Sequence, residues 1–242
     1  MSKRRFMHKE HTRFNPDEST EQGNIPKKEI TIIPRNLNQE TYLDHLTDEE
    51  CFISIAIGPA GTGKTLLAVL QGLKYLKEKK VSKLVITRPA VGVDDEKHGF
   101  LPGGLDEKLI PWLMPILDIV EKHFGPKMTK KMIEDKTIDV SPLAFMRGRN
   151  FEDSWIIFDE AQNSSINSMK AITTRISQGS KLVISGDMNQ LDRQFVHNNG
   201  LKDFVNRTKS RPSPLIRVVE FNRHDVQRHK VVKEVLGLYG EE

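Results

Sequence analysis

Along this chain, short apolar runs closed by glycine-rich or acidic turns alternate with longer stretches in which apolar residues recur at helical spacing. Residues 52–57, Phe-Ile-Ser-Ile-Ala-Ile, suit a buried strand, and the periodic run 66–76 predicts a helix extending over about 65–80. Residues 83–88 read as a second buried strand, and the crossover through that helix makes the two parallel. Similar runs at 154–158, 181–185 and 215–221 predict further strands, with a short one at 137–142 and a brief edge strand around Ile30 and Ile32, ended by Pro34. Leu109, Leu113, Ile116, Leu117, Val120 and Phe124 share one helical face, with a kink or a start expected at Pro111 and Pro115. This helix belongs to an insertion at about 92–136, and its apolar stripe is expected to be core. Asp225 is read as the N-cap of a terminal helix. The alternation of strands and helices gives an α/β fold: a mainly parallel sheet flanked by helices, with a helical insertion.

A chain of 242 residues has length for one large domain. Residues 25–242 are read as that domain. Residues 1–24 carry Lys3, Arg4, Arg5, Lys9 and Arg13 without an apolar centre, and are read as a flexible basic arm. With 37 Lys and Arg against 33 Asp and Glu, the net charge of +4 permits a nucleic-acid partner without requiring one. Cys51 is the lone cysteine, which excludes an internal disulfide or a cysteine zinc site and leaves a buried thiol as its expected role. Apolar runs fall far short of the ~20 residues of a membrane helix, so no membrane partner and a cytoplasmic location are expected.

The chemistry concentrates between strand 52–57 and helix 65–80. Gly58-Pro59-Ala60-Gly61-Thr62-Gly63-Lys64-Thr65 fits G-x-x-x-x-G-K-[ST], the phosphate-binding loop, in the strand-to-helix context that the motif needs. Its glycines let successive N–H groups wrap phosphate oxygens at the positive end of the following helix. Lys64 is placed to hold the β- and γ-phosphates of ATP, and Thr65 to ligate Mg²⁺. Downstream, strand 154–158 ends in Asp159-Glu160. An acidic pair after an apolar strand matches the Walker B pattern, with Asp159 holding Mg²⁺ through water and Glu160 positioning or deprotonating the attacking water. Capping of a helix is the alternative use of such a pair. Strand 181–185 leads into Gly186-Asp187 and Gln190, polar groups able to sense the γ-phosphate; an ordinary turn is the alternative. Arg88, at the carboxyl end of its strand, and Arg147 and Arg149, on a loop, are candidate contacts for nucleic-acid phosphates, and solvated surface arginine is the alternative for Arg88.

These stretches together resemble the PhoH-like ATPases, relatives of the superfamily 1 helicases with a RecA-like core. The likeness covers about residues 36–238 and rests on 58–65, Ile86-Thr-Arg-Pro-Ala90, Gly99-Phe-Leu-Pro-Gly103, 141–149, Phe158-Asp-Glu-Ala-Gln-Asn163, Thr174-Arg-Ile176, and Gly186-Asp187 with Gln190. The chain looks like the minimal, core-only members, including those of phages, for which the compartment is the host cytoplasm. The resemblance implies that Gln39 reads the adenine edge, that Gln190 senses the γ-phosphate, and that Arg175 or Arg228 serves as an arginine finger. It further implies ATP hydrolysis with Mg²⁺, coupled to binding, translocation on or unwinding of single-stranded RNA or DNA. One phosphate loop per chain then calls for a homo-oligomer, a ring such as a hexamer, to complete each site. An ATP-gated binding or assembly protein with little turnover is the other expectation, and Glu160 weighs against it.

Overall fold

A computed structural model describes residues 29–89, 105–146, 148–190, 198–227 and 230–238. The elements are α1 (Leu37–Thr47), β1 (Ile53–Ile57), α2 (Lys64–Lys77), β2 (Lys83–Thr87), α3 (Leu105–Phe124), α4 (Pro126–Glu134), β3 (Ile138–Val140), β4 (Ser154–Phe158), α5 (Ile166–Thr173), β5 (Lys181–Gly186), α6 (Gly200–Ser210), β6 (Ile216–Glu220) and α7 (Lys230–Leu238). The strands form one sheet in the order β3-β2-β4-β5-β1-β6, every neighbour parallel. The expected parallel α/β sheet is present, and β1 and β2 run parallel but not adjacent: β4 and β5 lie between them.

Strand alternation sorts the core into two layers. Ala56, Leu84, Ile86, Trp155, Ile157 and Val183 point to the side covered by α1 to α4, whereas Ile53, Ile55, Val85, Ile156, Phe158, Leu182 and Ile184 meet α5 and α6. Burial on both faces is why these strands read as continuous apolar runs. The largest side chain of the first layer, Trp155, is fully buried, and its indole N–H donates to the Ala68 carbonyl of α2 at 3.1 Å. That bond pins α2, and the loop ahead of it, to the acidic strand.

Several expectations are corrected. Residues 29–34 form no strand; Ile30 is buried in the core by packing, so its apolar alternation marks burial and not a ladder. The strand expected at 137–142 is confined to Ile138–Val140. α3 runs unbroken past Pro111 and Pro115. Its Leu113, Ile116, Leu117, Val120 and Phe124 are buried, so the stripe is core as expected. Asp225 does not cap α7. It closes a capping box with Asn222 around a single 3₁₀ turn, Arg223–Asp225, and α7 starts later, at Lys230. Cys51 is buried, as expected. The basic arm, residues 90–104, Arg147 and Arg228 lie outside the described residues. Among the described residues no helix is long and apolar enough to cross a membrane.

Candidate active site

The phosphate loop joins the carboxyl end of β1 to α2, and three neighbours shape it. Gly58 has φ 139°, and a Cβ there would meet the Phe221 carbonyl oxygen at 2.3 Å, so only glycine lets β1 leave the sheet against the end of β6. Gln39 of α1 donates from Nε2 to the Thr62 carbonyl at 2.9 Å and accepts from the Arg35 N–H at 2.8 Å. The Gln227 N–H donates to the Gly61 carbonyl at 2.8 Å. Both grips are tied together, because Asn38 of α1 donates to Asp225 at 2.7 Å. The loop is therefore held by α1 and by the segment after β6 before any ligand arrives. Gln39, expected at the adenine edge, has both ends of its amide engaged within the protein and acts here as a strut under the loop. Behind the loop, burial and secondarily the charge of Asp159 push the Tyr42 phenol far above its ordinary value, the mark of a dry interior.

Lys64 begins α2 and is buried, its ammonium 2.6 Å from the Gly58 carbonyl and 2.7 Å from that of Pro59. β4, one strand beyond β5, ends opposite. Its Asp159 is 2% exposed and accepts from Thr65 Oγ1 at 2.9 Å, Ser185 Oγ at 2.7 Å and the Arg88 guanidinium at 2.6 Å. Thr65 and Asp159, predicted as the Mg²⁺ pair from segments 94 residues apart, do meet. A hydroxyl beside a carboxylate on a cavity wall is the hard-oxygen donor set that Mg²⁺ takes, so these residues fit the ion. Glu160 follows in the left-handed region, φ 52°, with its side chain 42% exposed and Arg88 3.7 Å from Oε1. Such a conformation is uncommon for a non-glycine residue and turns Glu160 away from the strand direction.

Ala60, Gly61, Gly63, Lys64, Thr65, Asp159, Glu160, Gly186, Asp187 and Gln190 line a single cavity of about 260 Å³. The order β4-β5-β1 brings the loop, the acidic pair and Gln190 to one edge, the carboxyl edge where open parallel sheets take ligands. The predicted phosphate, metal and sensor residues thus converge. Of the described arginines, Arg149 and Arg175 do not join them. Arg88 faces the acidic pair, as an internal counter-charge. Arg149 pairs with Asp139 and lies 4.9 Å over the Phe151 ring. Burial works against the Asp139 carboxylate, but hydrogen bonds from Arg149 and Ser141 outweigh it and hold it below its usual range. Arg175 follows α5 on the side where β4 and β5 begin, its carbonyl accepting from the Phe151 N–H, and it is absent from the cavity wall. Ser185 and Gln162 were not singled out by sequence. A serine closing the apolar run 181–185 was the available sign of the first; the second stood inside the stretch Phe158–Asn163 that carries the resemblance, with no role of its own attached to it.

Loop, lysine and acidic strand end around one cavity define a P-loop nucleotide site on a parallel α/β sheet. The chain belongs to the PhoH-like protein family, whose model matches residues 31–240. It is 39% identical over 215 residues to a PhoH-like protein of Mycobacterium tuberculosis, covering 89% of this chain and 60% of that protein. Against a PhoH-like protein of Bacillus subtilis it is 37% identical over 216 residues, 89% of this chain and 66% of the relative. Protein PhoH of Escherichia coli is 30% identical over 210 residues, 86% of this chain and 58% of that protein. The chain thus spans about 60% of the length of these curated relatives. Among solved structures, the SWI2/SNF2 ATPase core of Sulfolobus solfataricus in complex with dsDNA gives a TM-score of 0.47 at 14% identity, covering 81% of this chain and 47% of that one, a likeness too distant to carry function.

Proposed function

We propose that this chain hydrolyses ATP with Mg²⁺ and couples the cycle to single-stranded RNA or DNA, within a homo-oligomer. The observation that carries the reading is Glu160, held at the rim of the cavity that Lys64, Thr65 and Asp159 also line. The loop N–H groups and the Lys64 ammonium bind the β- and γ-phosphates, the lysine exchanging its carbonyl partners for phosphate oxygens. When bound, Mg²⁺ would be held by Thr65 and Asp159 and would supply charge neutralisation at the phosphates. Glu160 accepts a proton from water as its oxygen bonds to the γ-phosphorus, and the bond to the β-phosphate oxygen breaks with its electron pair leaving on ADP. Gln190 faces the γ-phosphate from the cavity wall.

Support for the oligomer is the placement of Arg175. An arginine on the side where the strands begin cannot serve its own loop at the opposite edge, so a finger role for it requires a neighbouring subunit, and a ring such as a hexamer meets that need. Arg228 is the other candidate finger. Nucleic-acid contact is assigned to Arg88, Arg147 and Arg149, with Arg88 shared between that role and Asp159.

The test is ATP turnover with and without single-stranded RNA or DNA, in wild type and Glu160→Gln. Hydrolysis that falls ~10²–10⁴-fold in the variant while Mg·ATP stays bound supports the reading, because general-base catalysis is worth that much. Unaltered turnover removes Glu160 as the base, and ATP binding without turnover in wild type leaves the ATP-gated binding protein.

A further inference from the structure

Gln162 is 1% exposed, stands two residues beyond Glu160 in the 3₁₀ turn Ala161–Asn163, and uses both ends of its amide. Nε2 donates to Glu160 Oε2 at 2.6 Å. Oε1 accepts from the Asp187 N–H at 3.1 Å. The backbone N–H can only donate and the carboxylate can only accept, so the amide has one workable orientation. Its own backbone is fixed too: the Gln162 carbonyl accepts from Asn199 Nδ2 at 2.6 Å, while Asn199 Oδ1 caps α6 by accepting from the Lys202 N–H. At Gly186 a Cβ would stand 2.7 Å from Gln162 Oε1, so the close approach depends on glycine there. The amide is thus a buried link between the carboxylate at the end of β4 and the backbone at the end of β5, three residues ahead of Gln190.

We infer that Gln162 is a positioning residue that aims the Glu160 carboxylate and ties its aim to the loop Gly186-Asp187-Met188-Asn189-Gln190. A shift of that loop around a γ-phosphate moves the Asp187 N–H, and through Gln162 it moves the base. The assignment rests on the proposed role of Glu160, and its test separates the two. Charged groups facing Glu160 are Asp159 on β4 and Arg88 after β2, with Lys64 of α2 and Asp187 after β5 on the same cavity.

The experiment compares Gln162→Leu and Gln162→Glu with wild type. In protein without nucleotide, hydrogen exchange at the Asp187 amide should accelerate at least ~10-fold in Gln162→Leu, since a bond of about 1.4 kcal/mol protects by that factor. This readout needs no hydrolysis, so it stands even if Glu160 is not the base; exchange equal to wild type overturns the link. With ATP, Gln162→Leu should lower kcat ~10-fold or more with KM within about twofold, because the contact acts on the base and not on the phosphates. Gln162→Glu places two carboxyl groups together, which cannot readily ionise at once, so its acid limb should move to higher pH by about one unit and activity should recover on the alkaline side. If both variants lose nucleotide affinity and thermal stability in parallel, with an undisplaced pH profile, Gln162 is only a packing residue and the inference fails.

Discussion

At the carboxyl end of β4 the chain buries a carboxylate, Asp159, and at the start of the neighbouring β5 it buries an ammonium, Lys181. Both charges are buried and both are hydrogen-bonded within the protein, yet they stand at opposite ends of the sheet and differ in what they leave unspent. Lys181 spends its three donors on the carbonyls of His45, Leu46 and Asp48, at 2.8, 2.9 and 2.8 Å, closing the last turn of α1. All three of these partners are backbone carbonyls. Asp159 accepts three hydrogen bonds of the roughly four a carboxylate can take, and it lines a cavity beside the Thr65 hydroxyl. Buried charge alone therefore does not mark a functional site. Unspent capacity facing open space does.

The same contrast holds for backbone strain. Glu160 is left-handed at the cavity, whereas Lys79, Lys136 and Asp153 are left-handed around the opposite edge. Lys79 and Lys136 each follow the C-cap residue of a helix, Glu78 and Asp135, where that conformation satisfies the final carbonyls. Strain there is helix-ending geometry.

The largest expected effect falls on the cavity side. Lys64→Ala should weaken nucleotide binding, measured by fluorescent-nucleotide titration, ~10²-fold or more, with the urea midpoint close to wild type because the ammonium contacts loop carbonyls and not core. Undiminished affinity would remove the distinction drawn for Asp159 and its neighbours. Lys181→Met should do the reverse: nucleotide affinity near wild type and a stability loss of about 1–3 kcal/mol, as carbonyls lose their donor.

Acidity sharpens the second case. Burial pulls Lys181 down to about 8 from the ordinary 10.5. The folded protein therefore gives up this proton before the unfolded chain does, and between about pH 8 and pH 10.5 the unfolded state binds more protons. This group's contribution to stability is lowest below pH 8 and rises through that window. In urea melts at pH 7 and pH 10, the gap between wild type and Lys181→Met should widen at the higher pH; a narrowing gap would mean that the three carbonyl contacts outweigh burial in setting its protonation. The smallest effect is expected at Lys79. Lys79→Gly should raise stability by about 0.5–1 kcal/mol in the same assay, because glycine adopts φ 57° without the penalty that a Cβ brings. A loss would assign that residue a contact worth more than its strain.

Sequence alone placed the strands that matter here, because strands buried on both faces must be apolar throughout, and each announces itself over five or six residues. It placed Lys64, Thr65, Asp159 and Glu160 for a related reason: the phosphate-loop and Walker B patterns set those residue types at short fixed distances after a strand, so local order carries the information. Failures came where a role depends on segments distant in the chain. Ile30 looks like a strand residue because burial and pairing leave the same apolar trace. Asp225 looks like a helix cap because a capping box around a single turn uses the same residues. Only the fold put β5 between β1 and β4, brought Gln39 under the loop, turned Arg88 onto Asp159, and set Gln162 between Glu160 and Asp187. An amide's value lies in which donor and acceptor flank it, and those partners are chosen by tertiary packing, not by neighbours in sequence.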